Sequence, residues 1–199
     1  MKNFLITGGT SGIGYNCIKH LAHNHDNRIL IISSNLIKGK IAVKELKQLT
    51  KNKNISFLQC DLSSIREIKN LIYENPIFKI DVLINNAGGI FFKKQFSYEN
   101  IEKTFALNHM GYFCLTHFLL EKKIINSGGK IINVASGAHW GVDLDFTNLQ
   151  MRRGYNGWLA YKKSKLCNIL FTHKLSKLLK PKKISVNCLH PVFVKTNFG

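Results

Sequence analysis

Acidic residues are scarce in this sequence of 199 residues, which has 11 Asp and Glu against 29 Lys and Arg and a formal net charge of +18. Such an excess can indicate a nucleic-acid or anionic-membrane partner. However, the basic residues are spread over nearly every segment, and the short cluster at 180–183 has the composition of a loop. No RNA-binding aromatic signature accompanies them. We therefore interpret the charge as a lysine-rich surface and expect no specific nucleic-acid partner.

Paired cysteines and long apolar runs are also missing. The five cysteines form no CxxC pair, which disfavours a disulfide framework and a metal site and predicts reduced, mostly buried thiols. No apolar run reaches the roughly 18–20 residues that a membrane span needs, and no signal peptide is visible. These absences predict a cytoplasmic protein without a membrane span or a bound metal. The cysteines are Cys17, Cys60, Cys114, Cys167 and Cys188.

Short apolar segments alternate with amphipathic segments of helical length along the chain. We predict strands at 3–7, 28–33, 55–60, 80–84, 129–135 and 184–189, and helices at 12–23, 36–51, 64–73, 99–125 (interrupted near 108–111) and 158–179. The strands are nearly continuous in apolar residues, as expected when both faces of a parallel sheet are covered. The alternation predicts an α/β fold with one doubly wound parallel sheet of six strands, helices on both faces, and a single domain.

A glycine-rich segment, TGGTSGIG at 7–14, directly follows the first predicted strand and opens the first predicted helix. Gly8 suits a tight turn, Gly12 a close approach of the backbone to a pyrophosphate, and Gly14 close helix–strand packing. The helix N-terminus would then offer free N–H groups and its positive dipole to the phosphates. A glycine turn without a ligand is the alternative, and the missing GK[ST] ending argues against a P-loop. We therefore predict a dinucleotide site.

Polar positions after the next two strands predict the adenosine half of this site. Asp61 follows the third strand and can accept a hydrogen bond from an adenine amino group, serve as a helix cap or turn residue, or do both. Ser34 follows the second strand, where an acid would bind the ribose hydroxyl and a base would accept a 2′-phosphate. Lys38 and Lys40 lie nearby, with no acidic residue to repel a phosphate. The segment therefore slightly favours NADP(H) over NAD(H).

Tyr161 and Lys165 are four residues apart in a predicted helix, so their side chains should share one helix face. A fixed ammonium beside a phenol favours the phenolate and lowers a pKa that is ordinarily about 10. A phenol so tuned can exchange a proton with an alcohol or a carbonyl near neutral pH. Since lysine is abundant in this sequence, an exposed helix face is the better explanation of the spacing when the pair is considered alone.

Taken together and in order, the motifs resemble those of the short-chain dehydrogenases/reductases over essentially the whole chain. The branch of retinol dehydrogenases and protochlorophyllide reductases is the most similar, through segments 107–113, 133–139 and 161–168. The resemblance implies a Rossmann-type sheet of order 3-2-1-4-5-6 and an NAD(P)-dependent oxidoreductase that interconverts an alcohol and a ketone or aldehyde. It rests on Thr7-Gly8-xxx-Gly12-x-Gly14, Asp61, Asn85-Asn86-Ala87-Gly88, Asn108, Ser136, Tyr161-xxx-Lys165 and His190-Pro191.

The resemblance also assigns roles to single residues. Tyr161 would exchange the proton at the substrate oxygen, and Lys165 would lower its pKa and bind the nicotinamide ribose. Ser136 would orient and polarise the same oxygen, and Asn108 would hold a water that links Lys165 to solvent. A loop hydroxyl and a polar residue at a helix kink are the simpler interpretations of Ser136 and Asn108. The implied cofactor-binding residues are Gly8, Thr10, Ser11, Gly12, Ile13, Gly14, Ser34, Asp61, Leu62, Asn86, Ala87, Gly88, Tyr161, Lys165, Pro191, Val194 and Thr196.

Near its C-terminal end the sequence departs from the family pattern. Val192 stands where members usually have glycine, and valine resists a positive φ. The family's mobile substrate lid and last strand do not follow, so we expect a half-built substrate pocket. The alternative hypothesis is therefore a truncated, catalytically impaired dinucleotide-binding or interaction protein. The leading one is an enzyme acting on a small apolar alcohol or carbonyl compound and, by family analogy, a homodimer or homotetramer.

Overall fold

A parallel β-sheet of six strands forms the centre of the fold. In the computed structural model, which describes residues 1–191, the strands are β1 (Asn3–Thr7), β2 (Arg28–Ser33), β3 (Ile55–Gln59), β4 (Ile80–Asn85), β5 (Ile125–Val134) and β6 (Ser185–Leu189). They follow the order β3-β2-β1-β4-β5-β6, and each neighbouring pair is parallel. The predicted fold class and strand order are therefore confirmed.

Helices cover both faces of this sheet and bury two hydrophobic cores. The helices are α1 (Gly12–Ala22), α2 (Leu36–Thr50), α3 (Ile65–Glu74), α4 (Lys103–Phe105), α5 (Gly111–Glu121) and α6 (Gly157–Leu179), with a π turn (Ala106–Met110) between α4 and α5. Alternate strand residues point to opposite faces, so on β1 Phe4 and Ile6 join the core beneath α1 and α2, while Leu5 joins the core beneath α3, α5 and α6. This two-sided burial explains why the strands are apolar throughout.

The long helix predicted at 99–125 begins later than expected. Glu102 is fully buried, and its carboxylate accepts hydrogen bonds from the backbone N–H groups of Thr104 and Phe105, both at 2.8 Å. These bonds cap the first turn, so the helix starts at Lys103. The predicted interruption is present as the π turn, which lies at Ala106–Met110.

The same helix also ends earlier, at Glu121, because the next strand begins at Ile125 rather than at 129. Ile125 already pairs with Ile80 of β4, and the register then shifts before Val82. The polar and glycine-rich residues 126–129 are therefore an irregular part of β5. Their composition suggested a loop, and only the pairing with β4 makes them part of the strand.

Loops after β1, β4 and β5 meet at one end of the sheet, where the strand order reverses between β1 and β4. In open α/β sheets, the crevice outside the carboxyl ends of the strands at such a reversal is the usual ligand site.

Among residues 1–191, no helix is both long enough and apolar enough to span a membrane. Cys60, Cys114 and Cys167 are buried free thiols, whereas Cys17 is half-buried and Cys188 is exposed.

Candidate active site

A cavity of about 1240 Å³ lies at the carboxyl ends of the strands. Its volume exceeds the roughly 300–1,000 Å³ of a typical small-ligand pocket, so it can hold a ligand larger than most small molecules. Gly14 and Asn108 are buried beside it, whereas Val192, Val194 and Thr196 lie outside the described residues. The cavity is lined by most of the predicted site: Gly8, Thr10, Ser11, Gly12, Ile13, Ser34, Asp61, Leu62, Asn86, Ala87, Gly88, Ser136, Tyr161, Lys165 and Pro191.

The glycine turn between β1 and α1 presents the N-terminus of a helix to this cavity. Gly12 has a φ of +56°, a conformation that residues with a side chain rarely adopt. A Cβ atom on Gly14 would lie 2.4 Å from the carbonyl oxygen of Gly8, so only glycine lets α1 start this close to the turn. Ser11, the N-cap residue, makes no side-chain cap. The first amides of α1 are therefore available to an anionic ligand.

Thr7, the first residue of the predicted motif, joins the glycine turn to the loop after β4, a role that the sequence analysis did not predict. Its hydroxyl oxygen accepts hydrogen bonds from the N–H groups of Asn86 and Ala87, at 2.9 and 3.0 Å. In return, the Asn86 amide donates to the carbonyl oxygens of Thr7 and Gly8, at 3.0 and 3.1 Å. These four bonds fix the two loops that line the middle of the cavity. The position of Thr7 at the end of the first strand, directly before the glycine turn, was the feature of the sequence that could have predicted this role.

Tyr161 and Ser136 form a hydrogen-bonded pair of hydroxyl groups inside the cavity. Tyr161 is 7% exposed, and its ring stacks on Trp158 with the centroids 5.6 Å apart. Burial raises the pKa of Tyr161 above its ordinary value, and the hydrogen bond with Ser136 offsets part of that rise. The predicted lowering of this pKa is therefore not found in the chain by itself, because desolvation opposes the phenolate more strongly than its neighbours favour it.

Lys165 places a buried amino group beside this pair. Its Nζ donates a hydrogen bond of 2.9 Å to the carbonyl oxygen of Val134, at the end of β5, and lies 5.6 Å from the ring centroids of Tyr112 and Tyr161. The side chain is 3% exposed, and burial lowers its pKa to about 8. Its aliphatic stem and its acceptor hold the amino group in one place, which is the requirement for a residue that positions a ligand.

Asn108 is fully buried in the π turn and binds the protein with its whole side chain. Its Oδ1 accepts from the N–H of Gly89 at 2.8 Å, and its Nδ2 donates to the carbonyl of Gly89 at 2.9 Å and to Oγ of Ser164 at 3.0 Å. The contact of Asn108 with a water stays a prediction. Ser164, between Tyr161 and Lys165 in the chain, is a site residue that the sequence motifs did not identify.

Asp61 and Ser34, the residues predicted to bind adenosine, line the cavity, and Asp61 also forms a turn. Asp61 Oδ1 accepts hydrogen bonds from the N–H and the hydroxyl of Ser63, at 2.9 and 2.8 Å, and thereby fixes the turn after β3. Asp61 also lines the cavity, so its contact with an adenine stays a prediction. Ser34 is exposed at the rim, and its carbonyl accepts a bond of 2.9 Å from Gln59.

Beside Tyr161 the cavity has an apolar wall that the sequence analysis did not predict. The wall is formed by Ile90, Phe91, Leu107, Trp140 and Trp158. These residues come from separate segments of the chain, and no local pattern marked them as neighbours. Lys103 lies at the edge of this wall, with its Nζ 5.3 Å from the ring centroid of Phe91.

Lys165 should give the stability of the protein a distinctive pH dependence. Its pKa falls from 10.5 in the unfolded chain to about 8 in the folded chain, so between these values the unfolded chain binds a proton that the folded chain does not. Stability relative to Lys165→Met should therefore rise by about 1–2 kcal/mol between about pH 8 and pH 9.5. Urea denaturation without cofactor measures this difference. Parallel pH curves for the two proteins would show that Lys165 titrates normally.

Comparison with known proteins agrees with this geometry. The family model described as short chain dehydrogenase matches residues 2–199. The chain therefore belongs to the short-chain dehydrogenase family. An uncharacterized protein from Mycobacterium paratuberculosis has a similar structure, with a TM-score of 0.86 and 28% identity over 97% of this chain and 69% of that one. A short-chain dehydrogenase from Sphingobium yanoikuyae in complex with NADPH shares the fold at a TM-score of 0.77 and 21% identity, over 100% of this chain and 73% of that one.

Within the family the similarity is to the retinol dehydrogenase branch, as predicted. Human polyprenol dehydrogenase is 35% identical over 97% of this chain and 61% of its own length. Human retinol dehydrogenase 13 is 34% identical over 100% of this chain and 60% of its own length. The chain thus spans about 60% of the length of these curated relatives.

Proposed function

We propose that this chain carries the catalytic centre of an NAD(P)-dependent oxidoreductase that interconverts an alcohol and a ketone or aldehyde. The observation that carries this proposal is the meeting of Ser136, Tyr161 and Lys165 in one cavity with the glycine turn. Ser136 follows β5, Tyr161 and Lys165 lie on α6, and the glycine turn leads into α1. The relatives named polyprenol and retinol dehydrogenase support the same reaction class.

The cavity suits a dinucleotide cofactor. A Cβ atom on Gly88 would lie 3.0 Å from Oδ1 of Asn108 and 3.5 Å from Nζ of Lys165, so glycine at this position lets the loop after β4 pack closely against the buried amine at the cavity wall. The amides of the glycine turn would hold the pyrophosphate, Gly88 and Lys165 the nicotinamide ribose, and Asp61 the adenine. When bound, the nicotinamide supplies or accepts the hydride.

Side chains of the protein would transfer the proton that accompanies the hydride. Because burial raises its pKa, the Tyr161 phenol is protonated near neutral pH and is ready to donate to a carbonyl oxygen. Ser136 is hydrogen-bonded to the same phenol, so the two hydroxyl groups converge where a substrate oxygen would sit. Lys165 adds a nearby positive charge in its protonated form, which stabilises the phenolate left after the transfer.

We further propose NADP(H) as the preferred cofactor and an apolar compound as the substrate. Lys38 and Lys40 follow Ser34 in the chain, all three are exposed, and no acidic residue occurs at 33–40. A 2′-phosphate would therefore meet positive charge without repulsion. The substrate side is walled by Phe91, Trp140 and other apolar side chains, which favour an apolar alcohol or carbonyl compound.

The direct test is a turnover assay with matched binding measurements. We expect NADPH to bind at least about 10-fold tighter than NADH and to be oxidised with apolar aldehydes or ketones, with weaker activity on short polar ones. Calorimetry gives the two affinities and absorbance at the nicotinamide band gives turnover. Binding of NADPH without turnover over a broad panel of carbonyl compounds would instead favour a dinucleotide-binding protein without catalysis.

A further inference from the structure

Asn168 lies on α6 three residues after Lys165 and is completely buried. Its Nδ2 donates a hydrogen bond of 2.8 Å to the backbone carbonyl of Asn108, in the π turn of the neighbouring element. A π turn places backbone carbonyls out of line with their usual helical donors and recurs at functional sites. A side-chain donor from another helix therefore holds this carbonyl of the turn.

His109 fixes the orientation of the Asn168 amide. Its Nδ1 lies 3.0 Å from Oδ1 of Asn168, and because that oxygen can only accept, Nδ1 carries the hydrogen. The opposite amide orientation would place Oδ1 against the carbonyl oxygen of Asn108. The His109 ring packs against Phe105 and Phe171, with centroids 5.1 and 6.2 Å away. Burial lowers the pKa of His109, so the imidazole is neutral near neutral pH.

The carbonyl that Asn168 holds belongs to the residue that organises the cofactor side of the cavity. The Asn108 side chain binds both backbone groups of Gly89. A Cβ atom on Gly88 would lie 3.0 Å from Oδ1 of this side chain and 3.5 Å from the Nζ of Lys165, so both groups pack closely against Gly88. A displacement of Asn108 would therefore move the loop at Gly88 and Gly89 relative to Lys165.

We propose that Asn168, oriented by His109, is a positioning residue for the reaction. It fixes the π turn, and through Asn108 it fixes the Gly88–Gly89 loop beside Lys165. This role rests on the proposed function, since the geometry it maintains is that of Lys165 and its ligand. An error of about 1 Å in such a geometry can lower a rate about 100-fold.

The same buried network contains a matched control residue. Thr172, one turn further along α6, donates to the carbonyl of Asn168 at 2.7 Å and accepts from Asn133 at 2.9 Å. Asn133 in turn accepts from Asn85 at 2.8 Å and links β5 to β4. Thr172 is 6% exposed, and neither of these two hydrogen bonds involves Asn108. Thr172→Val therefore disturbs the network without releasing the π turn.

Asn168→Leu and Thr172→Val test the proposal. For Asn168→Leu we expect kcat to fall about 10- to 100-fold, with KM and the NADPH dissociation constant within about 2-fold. We also expect amide hydrogen exchange at Gly89 to accelerate about 10-fold or more, because its acceptor is Oδ1 of Asn108. Thr172→Val should lower the melting temperature but keep kcat and Gly89 exchange at the wild-type values. His109→Phe keeps the aromatic packing and should give a smaller change in the direction of Asn168→Leu.

Several outcomes overturn the proposal. A folded Asn168→Leu variant with wild-type kcat and Gly89 exchange would do so, and so would equal losses in Thr172→Val. If Asn168→Leu does not fold, an unchanged kcat and Gly89 exchange in His109→Phe has the same meaning. Absence of turnover in the wild type would refute the proposed function instead, and Gly89 exchange would still decide whether Asn168 holds the loop.

Discussion

Replacing Tyr161 by phenylalanine should lower turnover by about 100- to 10,000-fold, the range that general acid–base catalysis by one side chain contributes. The substitution removes only the hydroxyl that is hydrogen-bonded to Ser136 and keeps the ring that stacks on Trp158. The shape of the cavity should therefore survive, and the dissociation constant for NADPH should stay within about 2-fold. Steady-state kinetics and calorimetry on the same preparation measure the two quantities.

Tyr73→Phe is the matched control for this prediction. The Tyr73 hydroxyl donates a hydrogen bond of 2.6 Å to Glu121 on the surface, and neither residue is among those that line the cavity. Its loss should leave turnover at the wild-type value. Wild-type turnover in Tyr161→Phe would refute the proton-transfer role, whereas a parallel loss of NADPH binding would assign Tyr161 to cofactor binding.

Replacing Gly14 by alanine should weaken NADPH binding at least about 100-fold and lower the free energy of unfolding by about 1–3 kcal/mol. The added Cβ would lie 2.4 Å from the Gly8 carbonyl oxygen and 2.6 Å from Nδ2 of Asn86. The first of these atoms is backbone, so α1 must move away from the glycine turn. The amides that would hold the pyrophosphate move with it. Calorimetry and urea denaturation measure the two effects.

Asn16→Ala provides the control on the same helix. Asn16 is exposed, and its side chain bonds only the carbonyl of Gly12 among the described hydrogen bonds. Binding of NADPH should be nearly unchanged in this variant. If Gly14→Ala binds NADPH as tightly as Asn16→Ala does, the close approach of α1 to the turn is not required for the site.

The fold could be predicted from local patterns because each strand is short, apolar and followed by a helix of amphipathic pattern. The errors occurred where a distant contact or a buried cap overrides the local pattern. Residues 126–129 look like a loop, and pairing with β4 incorporates them into β5. The helix predicted from 99 starts at Lys103, because the buried carboxylate of Glu102 caps the amides that follow.

At the site, the spacing of Tyr161 and Lys165 predicted a shared helix face, and the structure places both side chains in the cavity. The direction of the Tyr161 pKa could not be predicted from that spacing. The effect of a neighbouring charge on the pKa depends mainly on one distance, which the spacing predicts. The effect of desolvation depends on all the atoms that pack around the phenol. For the same reason, the apolar wall of Phe91, Trp140 and Trp158 had no signal in the sequence.

The sequence by itself determined the strand–helix alternation, the glycine turn and the identity of Ser136, Tyr161 and Lys165, because these depend on residue types at short spacings. Only the tertiary structure decided which atoms surround them. It buries Lys165 against the carbonyl of Val134 and holds the Asn108 carbonyl with Asn168, 60 residues away along the chain. Burial and long-range hydrogen bonds arise from packing between distant segments, and no local pattern records them.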